Sequence, residues 1–112
     1  STGERHTLTA AGAELHSTGG GEPEEIVMTL RRLGFNRILC EGGPSLYAAM
    51  LRADLVDVLH LTVDPSVGSK DGPFGLDFAS SRPYTRRFIL EDATADEDSM
   101  LFCRYRRAPA GR

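Results

Sequence analysis

The sequence predicts an α/β fold, a mixed sheet flanked by helices that ends in an antiparallel β-hairpin. Three observations lead there. Apolar helical stripes alternate with short apolar runs through the first half of the chain. Val56 to Val63 is apolar on both alternating faces. Two strand-like segments separated by an acidic stretch close the sequence.

Residues Ser1 to Ala13 lack a clean period. Thr7-Leu8-Thr9 and Ala13-Glu14-Leu15-His16 are each expected as a short strand, before the loop at Gly19-Gly20-Gly21. Pro23 to Leu33 is expected to be a helix. Ile26, Val27, Leu30 and Leu33 share one face. Pro23 suits the first turn, and Glu22, Glu24 and Glu25 complement the dipole there. Arg31 and Arg32 stand at the other end, with Gly34 as a left-handed C-cap. Arg37-Ile38-Leu39-Cys40 is short, apolar and followed by Gly-Gly, which predicts a buried strand. A helix follows from Pro44 to Arg52, with Leu46, Tyr47, Met50 and Leu51 as its apolar stripe. This order predicts parallel pairing. Val56 to Val63 is then a strand covered on both sides. Asp64 to Pro83 is a long loop with three glycines and three prolines. Thr85 to Glu91 and Ser99 to Tyr105 form the hairpin, with Asp92 to Asp98 as its turn and Ala108 to Arg112 as a frayed tail.

The chain has 112 residues, the size of one domain. Its net charge of −3, with both signs interspersed, argues against a nucleic-acid partner. No apolar run is long enough to cross a membrane, and no basic-then-apolar leader opens the chain. Cys40 and Cys103 are far apart and lack metal-ligand spacing, so neither a metal site nor a disulfide framework is expected, and a reducing cytoplasm is the default location. The chain opens on Ser1 rather than methionine, as expected of a processed or cut-down protein.

The chemistry of the sequence concentrates at Glu41-Gly42-Gly43-Pro44-Ser45-Leu46. Two residues without Cβ let a ligand approach the main chain. Pro44 presets the helical φ. The amides of Ser45 and Leu46 are orphan donors in the first turn, and the helix dipole adds a positive field. Such a turn suits a phosphate or diphosphate. A Gly-Gly-Pro helix start is also an ordinary tight turn, and local pattern leaves both readings open. Other candidates are more simply structural. His60 lies among apolar neighbours as a sheet residue, and Asp54 and Asp57 flank a turn where aspartate bonds local amides. Arg86, Arg87, Arg104, Arg106 and Arg107 suit a solvated stripe on the hairpin. Cys40 reads as a small hydrophobe.

The segment from Arg37 to Leu46 runs apolar strand, E-G-G, helix. It is followed by Ala53-Asp54-Leu55-Val56-Asp57-Val58-Leu59-His60-Leu61-Thr62-Val63-Asp64-Pro65 and Val67-Gly68. This order closely resembles the C-terminal reductase domain of bacterial bifunctional riboflavin-biosynthesis deaminase/reductases, which is dihydrofolate-reductase-like in fold. The likeness is good from about Gly12 to Gly68 and looser beyond. It implies NADPH as cofactor, with Gly42, Gly43, Pro44, Ser45 and Leu46 contacting it. In the related dihydrofolate reductases the matching Gly-Gly bond is cis. Glu41 would face the substrate, a reading weighed evenly against a carboxylate that pairs with local amides. No catalytic residue is singled out. The implied reaction is hydride transfer to the ribosyl carbon of a phosphoribosylaminopyrimidine. A pterin or folate reductase and a non-catalytic nucleotide-binding fragment are the alternatives.

The likeness covers about the C-terminal half of that reductase domain. The family's opening S-x-D-G motif and its later basic and threonine residues for NADPH are absent, and Lys70-Asp71-Gly72 falls in the wrong place to replace the former. The expectation is therefore an incomplete domain, either part of a longer protein or a half-domain that completes itself by pairing. Its sheet would carry an exposed edge and an uncovered apolar face, which predicts a homodimer.

Overall fold

The computed structural model describes residues 1–68 and 84–110. Most of the Asp64–Pro83 loop, Lys70-Asp71-Gly72 and the last two residues of the tail lie outside them. The chain divides into two units, Ser1–Ile38 and Leu39–Arg112.

The first unit begins with helix α1, Thr2–Ala10, where one of the two short strands was expected. Ser1 and Glu4 form a capping box, with the Glu4 amide donating to the Ser1 hydroxyl over 3.3 Å. The threonines that suggested a strand turn their hydroxyls back onto the helix. Thr7 Oγ1 donates to the Gly3 carbonyl at 3.0 Å, and Thr9 Oγ1 to that of Arg5 at 2.8 Å. Ala13 to His16 forms no strand either. After the Gly19–Gly21 loop, α2 spans Pro23–Arg32, as its amphipathic pattern predicts. The Glu22 amide donates to the Glu25 carboxylate at 3.2 Å. Gly34 ends the helix at φ +93°, and the Phe35 amide closes back on the Leu30 carbonyl at 3.1 Å.

Arg37–Cys40, which straddles the boundary between the first unit and the second, is not a strand: Arg37 is a bend and the next three residues join no ladder. A strand needs a neighbour to hydrogen-bond, and among the described residues this segment has no place in the three-stranded sheet formed further along the chain. Helix α3 spans Pro44–Arg52. Three strands follow: β1 Val58–Val63, β2 Phe88–Ala95 and β3 Leu101–Arg107. They form one sheet in the order β1-β3-β2, with both pairings antiparallel. The parallel pairing expected from the first half of the chain has no counterpart among the described residues.

The hairpin strands lie a few residues later than expected, at Phe88–Ala95 and Leu101–Arg107. The acidic residues Asp92 and Asp96 bracket the difference. Asp92 lies within β2, opposite Arg104, while Asp96 makes the turn. Asp96 Oδ1 accepts from the amides of Asp98, at 3.0 Å, and Met100, at 2.9 Å. That leaves Ser99 at φ +64°. A bulge between Leu90 and Asp92 sets Glu91 out of register, where it pairs with Arg104 and Arg106.

The core of this unit is Ala48, Met50 and Leu51 of α3 with Cys103 at the centre of β3. β1 is less covered than expected. Leu61 and Val63 share a sheet face with Cys103 and Leu101, yet remain 37 % and 45 % exposed. Asp64 just beyond β1 accepts from the Ser66 amide at 2.9 Å, and its bonds to the Ser66 side chain and amide hold its carboxyl below the usual range.

Candidate functional site

The glycine pair stands where it was expected, at the entrance to α3. Gly42 has φ +88° and the Gly42–Gly43 peptide bond is cis. Gly43 is the N-cap, in an extended conformation, and Pro44 takes the first helical position. The Tyr47 amide closes the first turn on the Gly43 carbonyl at 3.0 Å. Ser45 and Leu46 come before that bond, so their amides point out of the helix. Among the described residues neither has a hydrogen-bond partner. The six residues Glu41 to Leu46 are thus one contiguous, largely exposed turn.

The two glycines differ in their surroundings. A Cβ on Gly42 would lie 2.7 Å from Tyr47 Cε2 and 2.9 Å from its Cζ. A Cβ on Gly43 would meet no described atom within 4 Å. Gly42 is therefore closed by the tyrosine ring, whereas Gly43 is open on this side among the described residues. Gly43 and the first-turn amides are the groups here that could hold a phosphate or diphosphate, since no described atom crowds Gly43 and the donors have no partner among the described residues.

Glu41 is exposed, and its carboxylate meets no amide among the described residues. The local amide pairing weighed for it is not formed there. Cys40 is half-buried and Cys103 buried, both as free thiols. Among the described residues no cluster of histidine, cysteine or carboxylate side chains could hold a metal. No helix of the described residues is long and apolar enough to cross a membrane.

At the other end of α3 the aspartates and arginines do more than line a surface. Arg86 Nε donates to the Leu51 carbonyl at 3.0 Å and Nη2 to that of Arg52 at 2.6 Å. Arg107 Nη1 reaches the Asp54 carbonyl at 2.7 Å, and Nη2 reaches Asp57 Oδ1 at 3.0 Å. Asp54 faces both guanidinium groups, within 3.5 Å of Arg86 and 3.4 Å of Arg107. Asp54 and Asp57 are structural, as expected, but through distant arginines rather than local amides. His60 is exposed on β1. Sequence reasoning assigned Tyr47 only to the apolar stripe; its spacing five residues after Gly42 was the available signal for its contact with the turn.

Comparison with known proteins places the chain in a family. The model of the RibD C-terminal domain matches residues 5–100. Among solved structures, the chain is similar to a pyrimidine reductase-like protein from Corynebacterium diphtheriae, with a TM-score of 0.71 and 25 % identity. That alignment covers 96 % of this chain but 44 % of the other, so the chain spans less than half the length of this relative. No curated protein matches. The fold is thus an incomplete version of the pyrimidine-reductase type, and with the family's pattern running over most of its length, the chain belongs to the RibD C-terminal domain family.

Proposed function

We propose that the chain is an NADPH-dependent reductase module of riboflavin biosynthesis, acting on the ribosyl group of a 5-amino-6-(5-phosphoribosylamino)uracil-type substrate. The observation that carries this reading is the Gly42–Gly43 turn, where among the described residues Gly43 is uncrowded and the amides of Ser45 and Leu46 have no partner, in a chain of this family. NADPH when bound would supply the hydride. The chain's own contribution is to receive the diphosphate. Gly43 allows close approach, the Ser45 and Leu46 amides donate, the Ser45 hydroxyl adds a donor, and Pro44 presets the turn. Glu41, exposed at the start of the turn, is proposed to face the nucleotide-like substrate. A homodimer in the cytoplasm belongs to the same reading.

Titration of the protein with NADPH and NADH, followed by nicotinamide fluorescence, tests it. Binding of NADPH is expected, and Gly43→Val should abolish it because the new side chain would occupy the diphosphate's place. Unchanged affinity in that variant would remove the turn from the cofactor site. A second reading is favoured by one observation: the chain spans 44 % of the solved relative. By itself it would then be a nucleotide-binding fragment that holds the cofactor without turning over substrate. A pterin or folate reductase is the remaining alternative, distinguished by which substrate consumes NADPH.

A further inference from the structure

Tyr47 sits against the turn in a way the cofactor reading leaves unused. Its amide bonds the Gly43 carbonyl at 3.0 Å, and its ring lies against the α-carbon of Gly42. The place where a Gly42 side chain would stand is filled by Cε2, Cζ and the hydroxyl oxygen, at 2.7, 2.9 and 3.2 Å from a Cβ built there. The ring itself is half-buried and comes from the first turn of α3. One residue thus touches both glycines, one through its backbone and the other through its ring.

This arrangement gives the turn a closed side and an open side. At Gly42 the ring occupies the approach, whereas at Gly43 no described atom comes within 4 Å. Of the two glycines beside the Ser45 and Leu46 amides, Gly43 is the one with no described atom in the way. Gly42 takes φ +88°, a conformation open to glycine, and the flat ring fills the space beside it. We infer that Tyr47 is a positioning residue of the cofactor turn: its ring acts as a backstop to Gly42 and directs the diphosphate onto the Gly43 face. This inference rests on the NADPH reading above.

The test compares three variants with the parent chain by NADPH titration, after circular dichroism has shown each to be folded. Tyr47→Phe keeps the ring and should bind within about twofold of the parent. Tyr47→Ala removes the backstop and should weaken binding about tenfold, the scale of one well-placed interaction. Should the alanine variant not fold, Tyr47→Leu, which fills volume without a flat face, takes its place with the same expected loss. Parent-like affinity in a folded alanine or leucine variant overturns the inference and leaves the cofactor reading intact. A loss in Tyr47→Phe equal to that in Tyr47→Ala also overturns it, because the hydroxyl rather than the ring would be acting. No NADPH binding by the parent sinks both ideas together.

Discussion

At Gly42 the backbone carries φ +88° and the Tyr47 ring fills the space a side chain would need. Both facts oppose substitution. Gly42→Ala should destabilise the fold by about 1–3 kcal/mol from the backbone alone, with the 2.7 Å approach to Tyr47 adding to it. Gly43 has φ −82° and ψ −157°, extended backbone with negative φ, and no described atom within 4 Å of a Cβ built on it. Gly43→Ala should therefore shift stability by no more than about 0.5 kcal/mol. Urea midpoints of the two variants check this contrast. A matching loss at both positions would mean that Gly43 too is held by packing, and that its openness is not reserved for a ligand. Adjacent glycines in one motif thus have separable reasons to be glycine, one in the fold and one in the site.

All three helices end the same way. The amide two residues beyond each C-cap closes on a carbonyl of the last turn: Ala13 on Leu8 at 3.0 Å, Phe35 on Leu30 at 3.1 Å, and Leu55 on Met50 at 3.0 Å. In α1 and α2 the left-handed residue is Gly12 or Gly34, but in α3 it is Asp54, at φ +57°. Aspartate tolerates that conformation better than most side chains, and here its carboxylate is engaged by Arg86 and Arg107. Arg86 additionally takes the last carbonyls of α3, where cations are favoured. Arg86→Ala should destabilise the chain by about 1–2 kcal/mol, read by the urea midpoint. Arg86→Lys should recover little of it, since a single ammonium cannot reproduce a planar fork over two carbonyls. Full recovery by lysine would show that charge alone acts there. The clamp holds the far end of the helix whose near end is the candidate cofactor turn.

On the scale of the whole molecule, the sheet leaves apolar surface uncovered. Leu61, Val63, Leu90 and Leu101 lie on the face of Cys103 and are 37 %, 45 %, 52 % and 36 % exposed. Side chains of this kind on one sheet face favour association. Light scattering at rising concentration is expected to give the mass of a homodimer, and Leu61→Glu should shift it toward monomer. A concentration-independent monomer would count against dimerisation.

Local sequence determined much of this protein. Helix α2 follows from its stripe, its acidic first turn and Gly34, and α3 from Pro44 and its apolar positions. The alternation in β1 was equally legible, as was the glycine turn with its E-G-G context. The capping box at Ser1–Glu4 was also written in the sequence, but β-branched threonines masked it because hydroxyl-to-carbonyl bonding inside a helix leaves no periodic signal. Other features were decided only by tertiary structure. The turn narrows from Asp92–Asp98 to the residues from Asp96 on, because the β2–β3 register draws Asp92 to Ala95 into the strand and leaves the Asp96 carboxylate to meet the free amides. Arg86 and Arg107 leave the solvated stripe for Asp54 and the end of α3, across separations of 35 and 53 residues that no local pattern reports. The turn at Glu41–Leu46 shows both levels. Its glycines and first-turn amides are sequence facts. Which glycine is closed by Tyr47 and which stands open depends on how the chain folds the ring back onto its own turn.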